Sequence, residues 1–163
     1  MASRTDPGRL QDDELLIVRT FEAPVALVFR VWQVRDHMIR WLGPKDFTCT
    51  HLEMDFRPGG KWRACIASAN HGTYWMRGEY REIEPNSRIV YTFLWEDGDD
   101  QPGIETLVTV TLAEKQGKTV QSFHQAPFLS VESRDGHVGG WSECFERERT
   151  YAERLAREGN WDA

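Results

Sequence analysis

At 163 residues the chain has room for one domain and little for a second. Apolar residues make up 40% and charged residues 28%, the balance of an ordinary globular protein rather than a disordered one. The net charge of −6 comes without a basic stripe, which argues against nucleic acid as a partner; runs such as "LLIV" and "APVALVF" fall far short of the roughly 20 residues that span a bilayer, which argues against membrane insertion.

Residues 1–13 lack an apolar signal core and read as a flexible leader. A single domain is expected over 14–158, with a short tail at 159–163. "ELLIVRTF" is β-branched and apolar, a first strand. "EAPVALVFRVWQ" follows at helical spacing, with Pro24 in its first turn, and "VRDHMIRWLG" continues as a second short helix stopped by Gly43-Pro44. The period then changes to two. "HLEMDF" and "KWRACI" flank "RPGG", whose Pro58 and Gly59 match the central residues of a type II turn. "TYWMRGEYREI", "RIVYTFLW", "IETLVTVTL" and "KTVQSFHQAPF" follow as further strands, with "EDGDDQPG" as a polar loop between the second and third of these.

The last element is a long helix over about 130–158. Gly136, Gly139 and Gly140 lie near its head, each costing about 1 kcal/mol relative to alanine. Two explanations stand: close approach of backbone at a crowded entrance, or a break near Gly139-Gly140 that frees the head as a lid. Farther along, Glu143–Arg147 and Glu153–Arg157 are spaced as helical ion pairs. This order predicts an α+β fold, a curved antiparallel sheet of about seven strands wrapped around one long C-terminal helix, with two short helices between strands 1 and 2.

Strand alternation places Trp62, Met76, Tyr80, Tyr91, Phe93 and Trp95 on the face that the helix must cover. Trp41, Phe47, Trp141 and Phe145 add to it from the short helices, the following loop and the long helix. Seven tryptophans and 12% aromatics suit either an aromatic-lined cavity or a filled aromatic core, which periodicity does not separate. His137 lies four residues before Trp141 and projects from the same side of the helix. The five histidines show no H-x-H or H-x-x-x-H pair, so neither a metal site nor a cofactor is expected. Phosphate-binding glycine loops and a nucleophile elbow are absent too. Cys49, Cys65 and Cys144, an odd number without C-x-x-C spacing, fit reduced thiols in a cytoplasmic protein.

The segments "RWLGP", "MDFRPGGKW", "GEYREIEPNSRIVYTFLW", "TLVTVTL" and "GHVGGW", in this order, resemble the domain of activator-of-heat-shock-ATPase homologues, within the START-like, birch-pollen-allergen-like (SRPBCC) superfamily. The likeness covers most of the chain. It implies a helix-grip fold whose sheet and long helix enclose a cavity. It also implies that His124, in "SFHQ", shares the concave face with Val120 and Ser122, where it would be a polar anchor beside Tyr80 or a general base. Members include lipid and polyketide binders, cyclases, hydrolases and chaperone activators. The expected function is non-enzymatic binding of a small hydrophobic or aromatic molecule. The alternatives are a chaperone-ATPase-activator-like interaction module with a chaperone partner, and a cyclase or hydrolase acting on a polyketide-like substrate. A homodimer is a further expectation, through edge strands or exposed aromatics such as Trp75.

Overall fold

The computed structural model describes residues 10–96 and 104–162. Strand β1 (Leu15–Phe21) leads into helices α1 (Val25–Gln33) and α2 (Arg35–Met38). Six strands follow: β2 (Thr48–Met54), β3 (Lys61–Ser68), β4 (Gly72–Glu84), β5 (Arg88–Trp95), β6 (Thr106–Lys115) and β7 (Lys118–Ala126). Helix α3 (Val131–Glu158) closes the chain. All seven strands form one antiparallel sheet in the order β1-β7-β6-β5-β4-β3-β2. This is the expected α+β helix-grip arrangement. The β-turn at Arg57–Gly60 forms as read, with Gly59 at φ +85° and the Gly60 amide bonded to the Arg57 carbonyl. The expected loop "EDGDDQPG" lies largely outside the described residues.

The sheet and α3 face each other across an aromatic core. Trp32 sits 4.9 Å from Trp41 and 6.3 Å from Tyr91 and from Phe145, centroid to centroid. Register fixes one contact by exclusion of a side chain. Trp62 pairs with Gly78, and its indole crosses that residue to donate to the Thr92 carbonyl at 3.2 Å. A Cβ at Gly78 would lie 1.7 Å from that carbonyl oxygen.

Helix α3 is continuous through its three glycines. Ser130 caps its start by accepting from the Ser133 amide, and Gly159 ends it at φ +70°. The proposed break near Gly139-Gly140 is therefore not there. Close backbone approach is not there either, since a Cβ on Gly136, Gly139 or Gly140 would meet nothing within 4 Å. Tertiary packing of Trp141, Cys144, Phe145, Ala152 and Leu155 outweighs the lost propensity.

The helical ion pairs expected on α3 are replaced by contacts to loops. Nη1 of Arg147 donates to the carbonyls of Gly43, Pro44 and Phe47 at 2.8, 3.2 and 3.0 Å. Glu143 accepts from the Lys45 amide and Glu153 from the Glu22 amide. Asp13 and Trp161, near the two ends of the described residues, are also tied to the fold. The Phe128 amide donates to the Asp13 carbonyl, and the Trp161 carbonyl accepts from Arg30 Nε and from His37 Nε2.

Candidate functional site

The space between the sheet and α3 is divided. Under the N-terminal half of α3 lies a cleft of about 1150 Å³, bounded by the 42–47 loop, by β3 to β5 and by residues 130–144. Deeper in lies a small space of about 20 Å³, walled by Trp32, Trp62, Tyr80 and Tyr91 among others.

One wall of the cleft is a run of rings from Phe47 of the loop and from alternate positions of β4 and β5, which meets Trp141 of α3. Phe47 lies 6.0 Å from Tyr74, Tyr74 6.1 Å from Trp95, Trp95 5.2 Å from Phe93, and Phe93 5.8 Å from Trp141. Aromatic pairs at these separations are mutually stabilising and present a continuous apolar surface. On the facing stretch of α3, Gly136, Gly140 and Cys144 line the cleft between the larger His137 and Trp141. The glycines therefore leave room instead of permitting contact. Lys45, Asp46, Glu132 and Glu143 stand around this space, so its surroundings are charged and its long wall is apolar. Arg147 fixes the 43–47 loop against the helix through its three carbonyl contacts.

His137 lines the cleft with both ring nitrogens engaged. Its Nδ1–H donates to the Ser133 carbonyl at 2.7 Å, which leaves Nε2 to accept from Trp95 Nε1 at 3.0 Å. Burial lowers its pKa below the ordinary histidine value, against the pull of the Ser133 bond. The neutral ring orients Trp95 and has no nitrogen left for acid–base work. Cys144 forms part of the floor. Its thiol donates to the Trp41 carbonyl and accepts from the Gly43 amide, and burial pushes its pKa up to about 12, far from a reactive thiolate.

The expected site residues other than His124 separate into three groups. Met76, Phe93, Trp95, His137 and Trp141 line the cleft. Trp62, Tyr80 and Tyr91 line the inner space instead. Trp41 and Phe145 are wholly buried and line neither, Trp41 being held by a bond from its Nε1 to the Val31 carbonyl.

His124 is a correction. The inward residues of β7 are Thr119, Gln121, Phe123 and Gln125, so His124, with Val120 and Ser122, points away from the helix. There it is paired with Glu14 at 3.1 Å. Two of those inward positions are amides with buried partners. Trp32 Nε1 donates to Gln121 Oε1, and Gln121 Nε2 donates to Oε1 of the wholly buried Glu148, both at 2.9 Å. Trp141 Nε1 donates to Gln125 Oε1 at 2.8 Å, and Gln125 Nε2 donates to Thr106 at 2.9 Å. Burial raises the Glu148 pKa to about 8, against the Gln121 bond, and its Oε2 has no partner.

Sequence reading did not single out Leu42, Ile66 and His71 for this site, nor did it expect Cys144 to be more than packing. Tyr74 was legible, since it shares a strand face with Met76 and Tyr80. Phe47 was singled out from the 42–47 loop, but the rest of that loop, which Arg147 holds, was not.

A family model described as "Activator of Hsp90 ATPase homolog 1-like protein" matches residues 22–153. The fold is similar to that of a protein from Chromobacterium violaceum, with a TM-score of 0.80 and 26% identity over 88% of this chain and 99% of that one. It is similar to a protein from Rhizobium leguminosarum with a TM-score of 0.72 and 26% identity, covering 86% and 94% of the two chains. An AHSA1 protein from Silicibacter pomeroyi gives a TM-score of 0.76 and 22% identity, covering 89% and 99%. Comparison with curated proteins gives no match. No helix among the described residues is long and apolar enough to cross a membrane. The sheet order, the single long helix and the matched residues agree: the chain belongs to the family of Activator of Hsp90 ATPase homolog 1-like proteins, with a START-like (SRPBCC) domain.

Proposed function

We propose that the protein binds a small, flat, hydrophobic or aromatic molecule in the cleft under the N-terminal half of α3. The observation that carries this reading is the pairing of two unlike walls. A run of four rings, Phe47, Tyr74, Trp95 and Phe93, faces a stretch of α3 where Gly136 and Gly140 leave space beside Trp141. Such a slot suits a planar apolar body, with polar groups confined to its edges. Members of the fold commonly bind hydrophobic ligands, which agrees with this use of the slot.

The role is binding without turnover. His137 has both nitrogens engaged, and His124 lies on the outer face, so neither is a free base within the cleft. Three buried, unpaired thiols support a reducing, cytoplasmic setting. Trp95 and Trp141 report occupancy directly. Titration with β-naphthol is expected to change tryptophan fluorescence saturably and to raise the melting temperature. A linear, non-saturating response with an unchanged melting temperature would remove the reading.

A further inference from the structure

The inner end of the cleft is made by Leu42, Met76, Phe93 and Trp141, and the same four side chains line the small space of about 20 Å³. They therefore form the wall between the two. The small space is about large enough for a single water. Tyr80 and Tyr91 also line it, only 4% and 6% exposed. Neither hydroxyl has a hydrogen-bond partner among the described residues, and desolvation alone leads the forces acting on each. Among the described residues the fully buried, unpartnered side-chain atoms are Ser133 Oγ and Glu148 Oε2, so each tyrosine oxygen keeps some access, and a hydroxyl without a protein partner is completed by a water or a ligand oxygen. Two such groups, 6.1 Å apart ring to ring, share one small space.

The dividing side chains differ in freedom. Trp141 is tied to Gln125, and Phe93 is packed between Trp62, Trp95 and Trp141. Met76 is an unbranched thioether that moves between rotamers at low cost. We infer that Met76 is the movable part of this wall, and that the two spaces join into one site in which a ligand oxygen reaches the Tyr80 and Tyr91 hydroxyls. This rests on the cleft being the binding site, and it names the ligand class: a planar aromatic body with a hydroxyl or carbonyl at its leading edge. The rings of the outer cleft hold the body, and the tyrosines read the oxygen.

The test uses β-naphthol and β-methylnaphthalene, which share a shape but differ in hydrogen bonding. Affinities for both are measured with the unaltered protein, with Tyr80→Phe/Tyr91→Phe together, and with Met76→Ala. The double variant removes only unpartnered hydroxyls, so it should melt no lower than the parent. It is expected to lose about five- to tenfold of the preference for β-naphthol while holding β-methylnaphthalene within about twofold. Met76→Ala should tighten β-naphthol by at least about threefold and keep the preference. If both probes bind the parent and the double variant keeps the full preference, the deep subsite is overturned and the cleft reading stands. A Met76→Ala protein that binds β-naphthol no better overturns the movable wall. Failure of both probes to bind the parent would overturn the deep subsite and the cleft reading together.

Discussion

Replacing Glu148 by glutamine tests the polar centre of the core quantitatively. Glu148 is wholly buried on α3, accepts one bond from Gln121 and leaves Oε2 without a partner. Burial holds its pKa at about 8 against an ordinary 4.5. The folded protein therefore keeps this proton while the unfolded chain has released it. Stability falls as pH rises from about 4.5 and levels off above about 8. At about 1.4 kcal/mol per pH unit, the full interval is worth roughly 5 kcal/mol. His137 and His37 act in the opposite sense. Their folded pKa values are lowered, so their contribution is present above the ordinary histidine pKa and is lost as pH falls. Subtracting the variant's curve from the parent's cancels these and other groups. Glutamine matches the shape of the neutral acid and cannot ionise. Urea unfolding followed by tryptophan fluorescence should show Glu148→Gln gaining on the parent by about 4 kcal/mol between about pH 5 and pH 8, then by no more. A difference that stays constant over that range would refute the neutral, buried state of Glu148.

Other substitutions probe the packing around the cleft. Gly78→Ala should cost about 3 kcal/mol or more, read by urea unfolding, because the added carbon meets the Thr92 carbonyl and the Trp62 indole at once. Gly139→Ala should instead stabilise α3 by up to about 1 kcal/mol in the same assay, since its Cβ meets nothing and it does not line the cleft. Arg147→Met should lower stability by about 2–3 kcal/mol and speed amide exchange at Phe47, because three loop carbonyls lose their shared donor.

The strand faces were legible because alternation is a local property. Met76, Phe93 and Trp95 were assigned inward from their own neighbours in sequence, and the cleft contains them. His124 was misplaced for a physical reason. On β7 both faces are mixed, and the inward one carries Gln121 and Gln125, whose burial is sustained by Trp32, Glu148, Trp141 and Thr106. Those partners lie 16 to 89 residues away, so no window on β7 reveals which face is inside. The charges on α3 misled similarly. Helical spacing suggested Glu143–Arg147 and Glu153–Arg157, yet Glu143, Glu153 and Arg147 bind loop backbone that is distant in sequence. The glycines were recognised as anomalous, but only the positions of the facing rings show that they leave room.

The most direct test of the cleft places one leucine at two adjacent positions of α3. Gly140 lines the cleft, whereas Gly139 does not and is exposed. Both positions have space for a Cβ, so both variants should fold. Calorimetric titration with β-naphthol is expected to show about tenfold or greater loss of affinity for Gly140→Leu and an unchanged affinity for Gly139→Leu. Equal affinities in the two variants would contradict the assignment of this cleft as the binding site.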